Sequence, residues 1–392
     1  MRQGPGRSAA ILLLVAAGWA LGGSAAATAA SSHPATRPDA KQQFNYCSNQ
    51  NAVFGYRRPY VGISDVAVQV SNGKPDGAYR DCSMGQMAAA GIGYFREFID
   101  WRSVETSPNV YNFSTLDGFE AAAAKHHMKV LAMVFGAPPW RSTAPARGAQ
   151  PGSYPPSNPQ DFAYFTSLLV ERYGLNGAFW RQNPQVPYDP TRAWQVWNEP
   201  DLAPSWEPRP NLASYVRLLK DTSVAIKGID PHATVVTAGM PFYTPQDENR
   251  FLSQLYQFGG RRYFDALAIH PYSDKVQEVA QWLWGARRVM DRFGDRAKPL
   301  WVTEVGWSGG DPDLFLTNPQ KQRSSVAGLF RLVQSLRGRV GLQVLMWYQW
   351  QDRFWTAGPR SWWGFHEGFF TTGLSPKPSF AALKAAAPRL DR

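Results

Sequence analysis

The chain is poor in cysteine: Cys47 and Cys82 are the only two in 392 residues. That scarcity excludes a disulfide-built scaffold and a thiolate metal cluster. The six histidines fall in no ligand spacing, so neither a metal nor a cofactor is expected. Beyond the first 30 residues there is no long apolar run, which argues against stable insertion in a membrane. The formal charge of +11 comes without a basic tract or a nucleic-acid motif, so no nucleic-acid partner is expected. The excess is spread along the chain. It suits either a solvated surface or attraction to an anionic cell surface or acidic polysaccharide. No internal repeat, heptad or compositional break appears, which points to one domain and a monomer.

The first residues read as an export signal. Arg2 and Arg7 precede an apolar stretch from Ala9 to Leu21, and small residues around Ala25 to Ala29 offer a cleavage site. No two arginines are adjacent there, so a twin-arginine route is not indicated. The expected organisation is a signal peptide over residues 1–30, a Ser/Pro/Thr-rich leader over 31–44 and one domain over 45–392. In an exported chain the two cysteines are expected to pair, closing a loop of about 35 residues worth on the order of 3–4 kcal/mol. Two free buried thiols are the alternative.

Strand-like and helix-like stretches alternate through the rest. Ile92–Ile99, Val130–Phe135, Ala193–Trp197, Thr234–Ala238, Phe264–Ile269, Leu300–Val305 and Leu342–Tyr348 read as strands, and a weaker eighth lies near Tyr60–Val70. Most are apolar throughout, which suits parallel strands covered on both faces. Helical patterns run from a Ser114-x-x-Asp117 cap to Lys125, then over Asp161–Tyr173, Asn211–Lys227, Val276–Phe293, Gln320–Leu336 and Ser379–Ala387. About eight such units predict an α/β fold, a closed (β/α)8 TIM barrel. The alternative is an open doubly wound sheet. That fold normally carries a Gly-rich nucleotide turn after its first strand, and none occurs here.

Loops after strand C-termini form the active face of such a barrel. Two are long: Gly136–Gln160, rich in Pro, Gly and Ser, and Gln351–Phe370, rich in aromatics. Trp140, Trp206, Trp307, Trp355, Trp362 and Trp363 all fall on loops of that face. They are expected to offer flat apolar platforms for sugar rings. Arg141, Arg353 and Arg360 share the face and either bind an acidic group or are solvated.

The chemistry centres on two glutamates, each ending an apolar run. Glu199 follows Trp197-Asn198 and precedes Pro200; Glu304 sits in Trp301-Val302-Thr303-Glu304-Val305-Gly306-Trp307. Burial and mutual repulsion split such a pair into a protonated acid and an ionised partner. That division of labour is what hydrolysis of a glycosidic bond requires.

These motifs resemble the clan A glycoside hydrolases, and in detail families five and thirty-nine. Trp197-Asn198-Glu199-Pro200 is similar to the clan's acid/base motif, and Thr303-Glu304-Val305-Gly306-Trp307 to its nucleophile motif. Gly91-Ile92-Gly93-Tyr94-Phe95-Arg96, Pro138-Pro139-Trp140, His270-Pro271-Tyr272 and Trp347-Tyr348-Gln349-Trp350 resemble its second, third, sixth and eighth strands. The resemblance implies Glu199 as general acid/base and Glu304 as nucleophile of a retaining hydrolase. It implies Asn198 on the sugar 2-hydroxyl, Arg96 and Tyr272 on Glu304, and His270 on the acid/base side or the sugar. Trp140 would bind substrate, and Trp347 would floor the cleaved subsite, with Trp350 competing for that place. The expected product is an exported enzyme that cleaves a poly- or oligosaccharide, an anionic one included. A non-catalytic carbohydrate-binding barrel and a transglycosylase are the alternatives.

Overall fold

The computed structural model describes residues 60–65, 70–71, 74–75, 77–145, 153–310, 318–353 and 363–390. The proposed signal, leader and Cys47 therefore lie outside the described residues, as do Trp355, Arg360 and Trp362 and the side chain of Trp363. Cys82 is buried, and among the described residues no cysteine is free.

Eight parallel strands form the barrel: β1 (Val61–Ser64), β2 (Tyr94–Asp100), β3 (Lys129–Phe135), β4 (Ala193–Val196), β5 (Thr234–Val236), β6 (Leu267–Ile269), β7 (Leu300–Val302) and β8 (Leu342–Tyr348). The hydrogen-bonded ladder runs β6-β7-β8-β1-β2-β3-β4-β5. Bridges from Val236 to Ala266 and from Met240 to Ile269 join its two ends. A helix follows each strand: α1 (Gly77–Ala89), α2 (Ser114–Lys125), α3 (Pro159–Tyr173), α4 (Leu212–Ile229), α5 (Pro245–Gln257), α6 (Val276–Arg292), α7 (Pro319–Val340) and α8 (Pro378–Leu390). This is the (β/α)8 TIM barrel that the alternation predicts, and the open sheet is ruled out.

Strands β4 and β7 stop earlier than their apolar runs. Trp197 turns out of the ladder at φ +70°, a left-handed value that ends an extended strand. Helices α1 and α5 carry no expectation from the sequence. The apolar content of α5 is low, but Thr244 accepts a hydrogen bond from the Asp247 N–H and Pro245 opens the first turn, a legible start signal. The Ser-x-x-Asp cap expected at α2 is not formed. Ser114 already lies in the helix, and its N–H is met by Asn112 Oδ1 at 3.0 Å. Asn158, Asn211 and Asn318 cap α3, α4 and α7, each worth ~1 kcal/mol.

Two apolar layers result. The larger lies between sheet and helices. The smaller, with Leu131, Ala193, Val236, Ala268, Trp301, Val344 and Met346, fills the barrel interior and takes in Tyr94. Successive side chains of a strand face opposite sides. The residues two places further along therefore form the next interior layer, and there the chemistry changes: Tyr94 gives way to Arg96, Ala193 to Gln195, Ala268 to His270 and Trp301 to Thr303. The floor of the barrel is apolar and its upper layer is polar.

Gly62 shows how tight that floor is. A Cβ there would lie 2.8 Å from both Tyr94 Cβ and Met346 Cγ. Gly62→Val is expected to cost ~1–3 kcal/mol through overpacking, read as a lowered midpoint in chemical denaturation. An unchanged midpoint would contradict the packing described.

Glu120 on α2 is buried, and its carboxylate accepts the Thr191 hydroxyl at 2.8 and 3.0 Å. Burial pushes its pKa up to about 8, partly offset by that bond. The folded state therefore holds a proton that the unfolded chain releases near pH 4.5, so stability from this group falls as pH rises from there towards 8. Glu120→Gln is expected to flatten the decline in melting temperature between pH 5 and pH 8. An equally steep decline in the variant would show that Glu120 does not contribute.

Candidate active site

Glu199 and Glu304 meet at the C-terminal mouth of the barrel, both fully buried. Glu199 sits in the turn after β4 at φ +47°, a conformation that a non-glycine residue holds only where its surroundings enforce it. The surroundings are visible. The Trp197 indole donates to Ser205 O at 2.8 Å, and its ring packs on Phe135 and Phe162. The Glu199 N–H donates to Gly239 O at 3.1 Å. The turn is thus tied to the end of β5 on one side and to the outer helical layer on the other.

Arg96 on β2 organises the other glutamate. Its Nη1 donates to Glu304 Oε1 at 2.5 Å and to Ser64 Oγ at 3.1 Å. Its Nη2 donates to Asn198 Oδ1 at 2.7 Å and its Nε to Gln195 Oε1 at 2.6 Å. Tyr272 donates its hydroxyl to Glu304 Oε2 at 2.9 Å. Neither Glu97 nor Asp100, the near carboxylates in sequence, takes the guanidinium. Asp100 is held by Arg102, and Glu97 lies within electrostatic reach of Glu120 and Arg80.

His270 lies between the two acids. Its Nδ1 is 2.8 Å from Glu199 Oε1, and its Nε2 is 3.0 Å from Thr303 Oγ1 and 3.8 Å from Glu304 Oε1. Burial, reinforced by the Arg96 charge, holds its pKa well below the usual histidine value, so the ring is neutral. Burial pushes Glu199 well above the carboxylate range, and the Glu304 and Asp201 charges push it further. Burial also raises Glu304, but Arg96 and the Tyr272 hydroxyl oppose that rise directly. Glu199 is therefore the member of the pair that keeps a proton, and Glu304 the one that ionises first.

Glu199, His270 and Glu304 each offer a ligand atom, all within 4.8 Å of one another. A cation there would face the Arg96 guanidinium, 2.5 Å from one of the donors. The set fits an acid–base pair better than a metal centre.

The tryptophans divide. Trp140, on the turn after β3, is 42% exposed and donates to Glu105 Oε1 at 3.2 Å. Trp347 is buried, donates to Glu367 O at 2.9 Å and packs against Trp307 and Phe369. Trp350 is also buried, but it packs on Phe369, Phe370 and Phe380 of α8, on the helical side of the sheet. Trp206 and Trp307 are buried as well, at 3% and 4% exposure, so they are not the open platforms expected of them. Trp206 packs edge-on against Trp197 and supports the Glu199 turn. Of the arginines, Arg141 pairs with Glu105 and Asp161. Arg353 donates to Gln349 Oε1 at 2.7 Å and lowers the pKa of Glu304.

Sequence reasoning missed three contributors. Gln195 and Thr303 lie in the polar interior layer; for Gln195 the two-residue alternation of an apolar strand is the only signal, and Thr303 stood in the motif around Glu304 without a role of its own. Glu367 has no sequence signal. It is fully buried, and neither of its carboxylate oxygens has a partner among the described residues. Burial and the Glu304 charge push its pKa well above the usual range. Gly306 leaves room for it: a Cβ there would lie 2.4 Å from both Glu367 Oε2 and Tyr348 O.

At the opposite end of the barrel a cleft of about 1030 Å³ is lined by Tyr94, Lys129, Arg192 and Trp301 among others. Lys129 is paired with Asp189 and Arg192 with Asp230, and the cleft holds no acid–base pair.

Residues 182–354 match the family model described as a glycosyl hydrolase catalytic core. No curated protein matches the sequence. Solved structures do. A family 39 glycoside hydrolase from Bacteroides cellulosilyticus aligns at TM-score 0.63 and 19% identity, over 87% of this chain and 66% of that one. A monomeric β-xylosidase from Caulobacter crescentus aligns at 0.62 and 18%, over 85% and 69%. A family 5 enzyme from Streptomyces cattleya, solved with Manβ1-4GlcNAc, aligns at 0.63 and 14%, over 85% and 81%. The chain spans about two thirds of the length of the first two. At such identities the structural likeness establishes the fold. Two of these neighbours are named as family 39 and family 5 enzymes, the families that the motifs resemble. The core match over residues 182–354 adds a likeness in sequence to glycosyl hydrolases.

Gly239 offers a test of the site. A Cβ there would lie 1.9 Å from His270 Nε2 and 2.6 Å from Thr303 Oγ1. Gly239→Ala is expected to push the imidazole off Glu199 and cut kcat by ~10²-fold or more, with the fold retained by circular dichroism. Near-normal turnover on any glycoside that the parent cleaves would contradict this geometry.

Proposed function

We propose that the protein is an exported, retaining glycoside hydrolase. It would cleave β-linked glycosidic bonds in a poly- or oligosaccharide by double displacement. The observation that carries this reading is the pair itself. A carboxylate oxygen of Glu199 and one of Glu304 lie within 4.8 Å, and their environments split their proton affinities. Retaining enzymes hold their carboxyls ~5–5.5 Å apart and inverting ones ~6.5–9.5 Å apart, so the short separation supports retention.

In the first step Glu304, ionised by Arg96 and Tyr272, attacks the anomeric carbon. Glu199 gives its proton to the departing oxygen as the carbon–oxygen bond breaks. In the second step Glu199, now a carboxylate, takes a proton from water, and that water releases the sugar from Glu304. Asn198, held by Arg96, is placed to bind the 2-hydroxyl. A sugar substrate is further supported by a group of buried polar atoms with no partner among the described residues: Glu199 Oε2, both Glu367 oxygens, Tyr348 Oη and Trp307 Nε1. Buried groups of this kind are normally satisfied, and the hydroxyls of a sugar ring would satisfy them.

Export, a Cys47–Cys82 disulfide and a monomeric state complete the proposal. They rest on the N-terminal sequence, on the cysteine pair and on the absence of repeats. Among the described residues no helix is long and apolar enough to cross a membrane. The half-buried Arg353 near Glu304 leaves an anionic glycan among the substrates to be tried.

The test is a panel of β-glucans, xylans, mannans, galactans, arabinans and uronic-acid polymers, with Glu304→Gln as the blank. Reducing ends from one polymer, absent with the variant, are expected, and NMR of the first product should show the anomer retained. Glu199→Ala is expected to lower kcat by ~10²–10⁴-fold on unactivated substrates. An inverted first product would overturn the mechanism. Binding without turnover by the parent would mark a glycan-binding barrel, and longer products from an oligosaccharide would mark a transglycosylase.

A further inference from the structure

We propose that Thr303 sets the tautomer of His270, and through it which oxygen of Glu199 carries the proton delivered to the substrate. The inference rests on the reading of Glu199 as the general acid, and it adds a positioning residue to that site.

The argument starts at Arg96, whose guanidinium has donors only. The Gln195 side-chain atom 2.6 Å from Arg96 Nε is therefore its carbonyl oxygen. The amide orientation is fixed by this contact, and the Gln195 amino group donates to Thr237 O at 2.9 Å and to Thr303 Oγ1 at 3.3 Å. Thr303 thus already accepts one hydrogen bond. It is fully buried, and among the described residues the acceptor within reach of its own hydroxyl proton is His270 Nε2, at 3.0 Å. A buried hydroxyl proton without an acceptor is disfavoured, so Thr303 donates and Nε2 is the bare nitrogen.

The ring is neutral, so its single N–H is on Nδ1, where it donates to Glu199 Oε1 at 2.8 Å. Oε1 is then an acceptor, and the acid proton of Glu199 resides on Oε2, the oxygen with no partner among the described residues. From Oε2 it is free to pass to the leaving oxygen, which takes the electron pair of the breaking bond. The Nδ1–H remains to stabilise the carboxylate left behind. Water later returns a proton to Oε2. The opposite tautomer reverses each consequence. Nε2–H would donate to Thr303, the Thr303 proton would have no acceptor, and the Glu199 proton would be held on Oε1 by Nδ1, away from the substrate.

The first measurement is ¹⁵N NMR of the full chain labelled at histidine, with His270 assigned through His270→Gln. A protonated Nδ1 and a bare Nε2 are expected. A protonated Nε2 in the parent protein overturns the proposal whatever the enzyme cleaves. The second measurement compares 2,4-dinitrophenyl and 4-methylumbelliferyl β-xyloside, β-mannoside and β-glucoside. Both are read as kcat/KM, which reports the first step alone, and Thr303→Val is expected to lower it ~10–100-fold on the 4-methylumbelliferyl glycoside, whose departure gains from a proton. On the dinitrophenyl glycoside, which needs none, the change should stay within ~3-fold, and Thr303→Ser should restore both. Equal losses of kcat/KM on the two leaving groups would reduce Thr303 to a packing residue and overturn the proposal. If the parent cleaves no glycoside at all, the reading of the site as catalytic fails, and the tautomer is still decided by the NMR experiment.

Discussion

The site depends on one buried cation. Arg96 projects from the second strand into the barrel and spends its guanidinium on four side chains from four segments: Ser64 on β1, Gln195 on β4, Asn198 in the turn after β4 and Glu304 after β7. A guanidinium taken from water is costly unless its donors are met and its charge is opposed. Once it is in place, each partner has little freedom to move. Losing one member of such a buried pair typically costs ~3–5 kcal/mol. The constraint therefore works in both directions: the carboxylate compensates the arginine, and the arginine opposes the rise that burial gives the carboxyl's pKa.

The asymmetry between the two glutamates follows from where that cation stands. Glu304 has Arg96 at 2.5 Å and the Tyr272 hydroxyl at 2.9 Å. Glu199 has a neutral histidine, and Asp201 and Glu304 add negative charge around it. Two residues of one chemical type on one end of one barrel come to differ in proton affinity by environment alone. The same chain of contacts reaches across the site. Arg96 orients Gln195, Gln195 donates to Thr303, and Thr303 faces His270, so the group paired with Glu304 is linked to the group held against Glu199.

The barrel supports this through its interior layering. The lower layer is apolar and tight, with Gly62 where no larger residue fits and Trp301 against Tyr94 at 5.7 Å between ring centroids. The layer above is polar. A close-packed floor fixes the strand registers, and the registers fix the spacing of Arg96, Gln195, Thr303 and His270. Glycine recurs where backbone and site approach each other: at Gly239 beneath the imidazole, and at Gly306 beneath Glu367.

Much of this was legible in the chain. Apolar runs broken by helical patterns determined the barrel, because parallel strands covered on both faces need continuous hydrophobicity. Glutamates at the ends of two such runs marked the candidate pair, because a charge at a buried strand tip calls for a reason, and the structure brings the two together. Arg96, Asn198, His270 and Tyr272 stood in motifs of the right order, and the structure brings all four to the pair. Helix α5 was missed because its exposed face outweighs its apolar stripe. The burial of Trp206 and Trp307 was missed because a loop residue's exposure is set by what packs over it. Glu367 comes from a segment after β8, and only chain folding carries it within electrostatic reach of Glu304. Gln195 is an unremarkable polar residue in sequence, and Thr303 stood beside Glu304 with nothing to show what it would meet. Local pattern decides which stretches become strands, through backbone geometry and solvent transfer. Which polar atoms then meet across the barrel depends on register and closure, and these distances of ~3 Å exist only in the assembled tertiary structure.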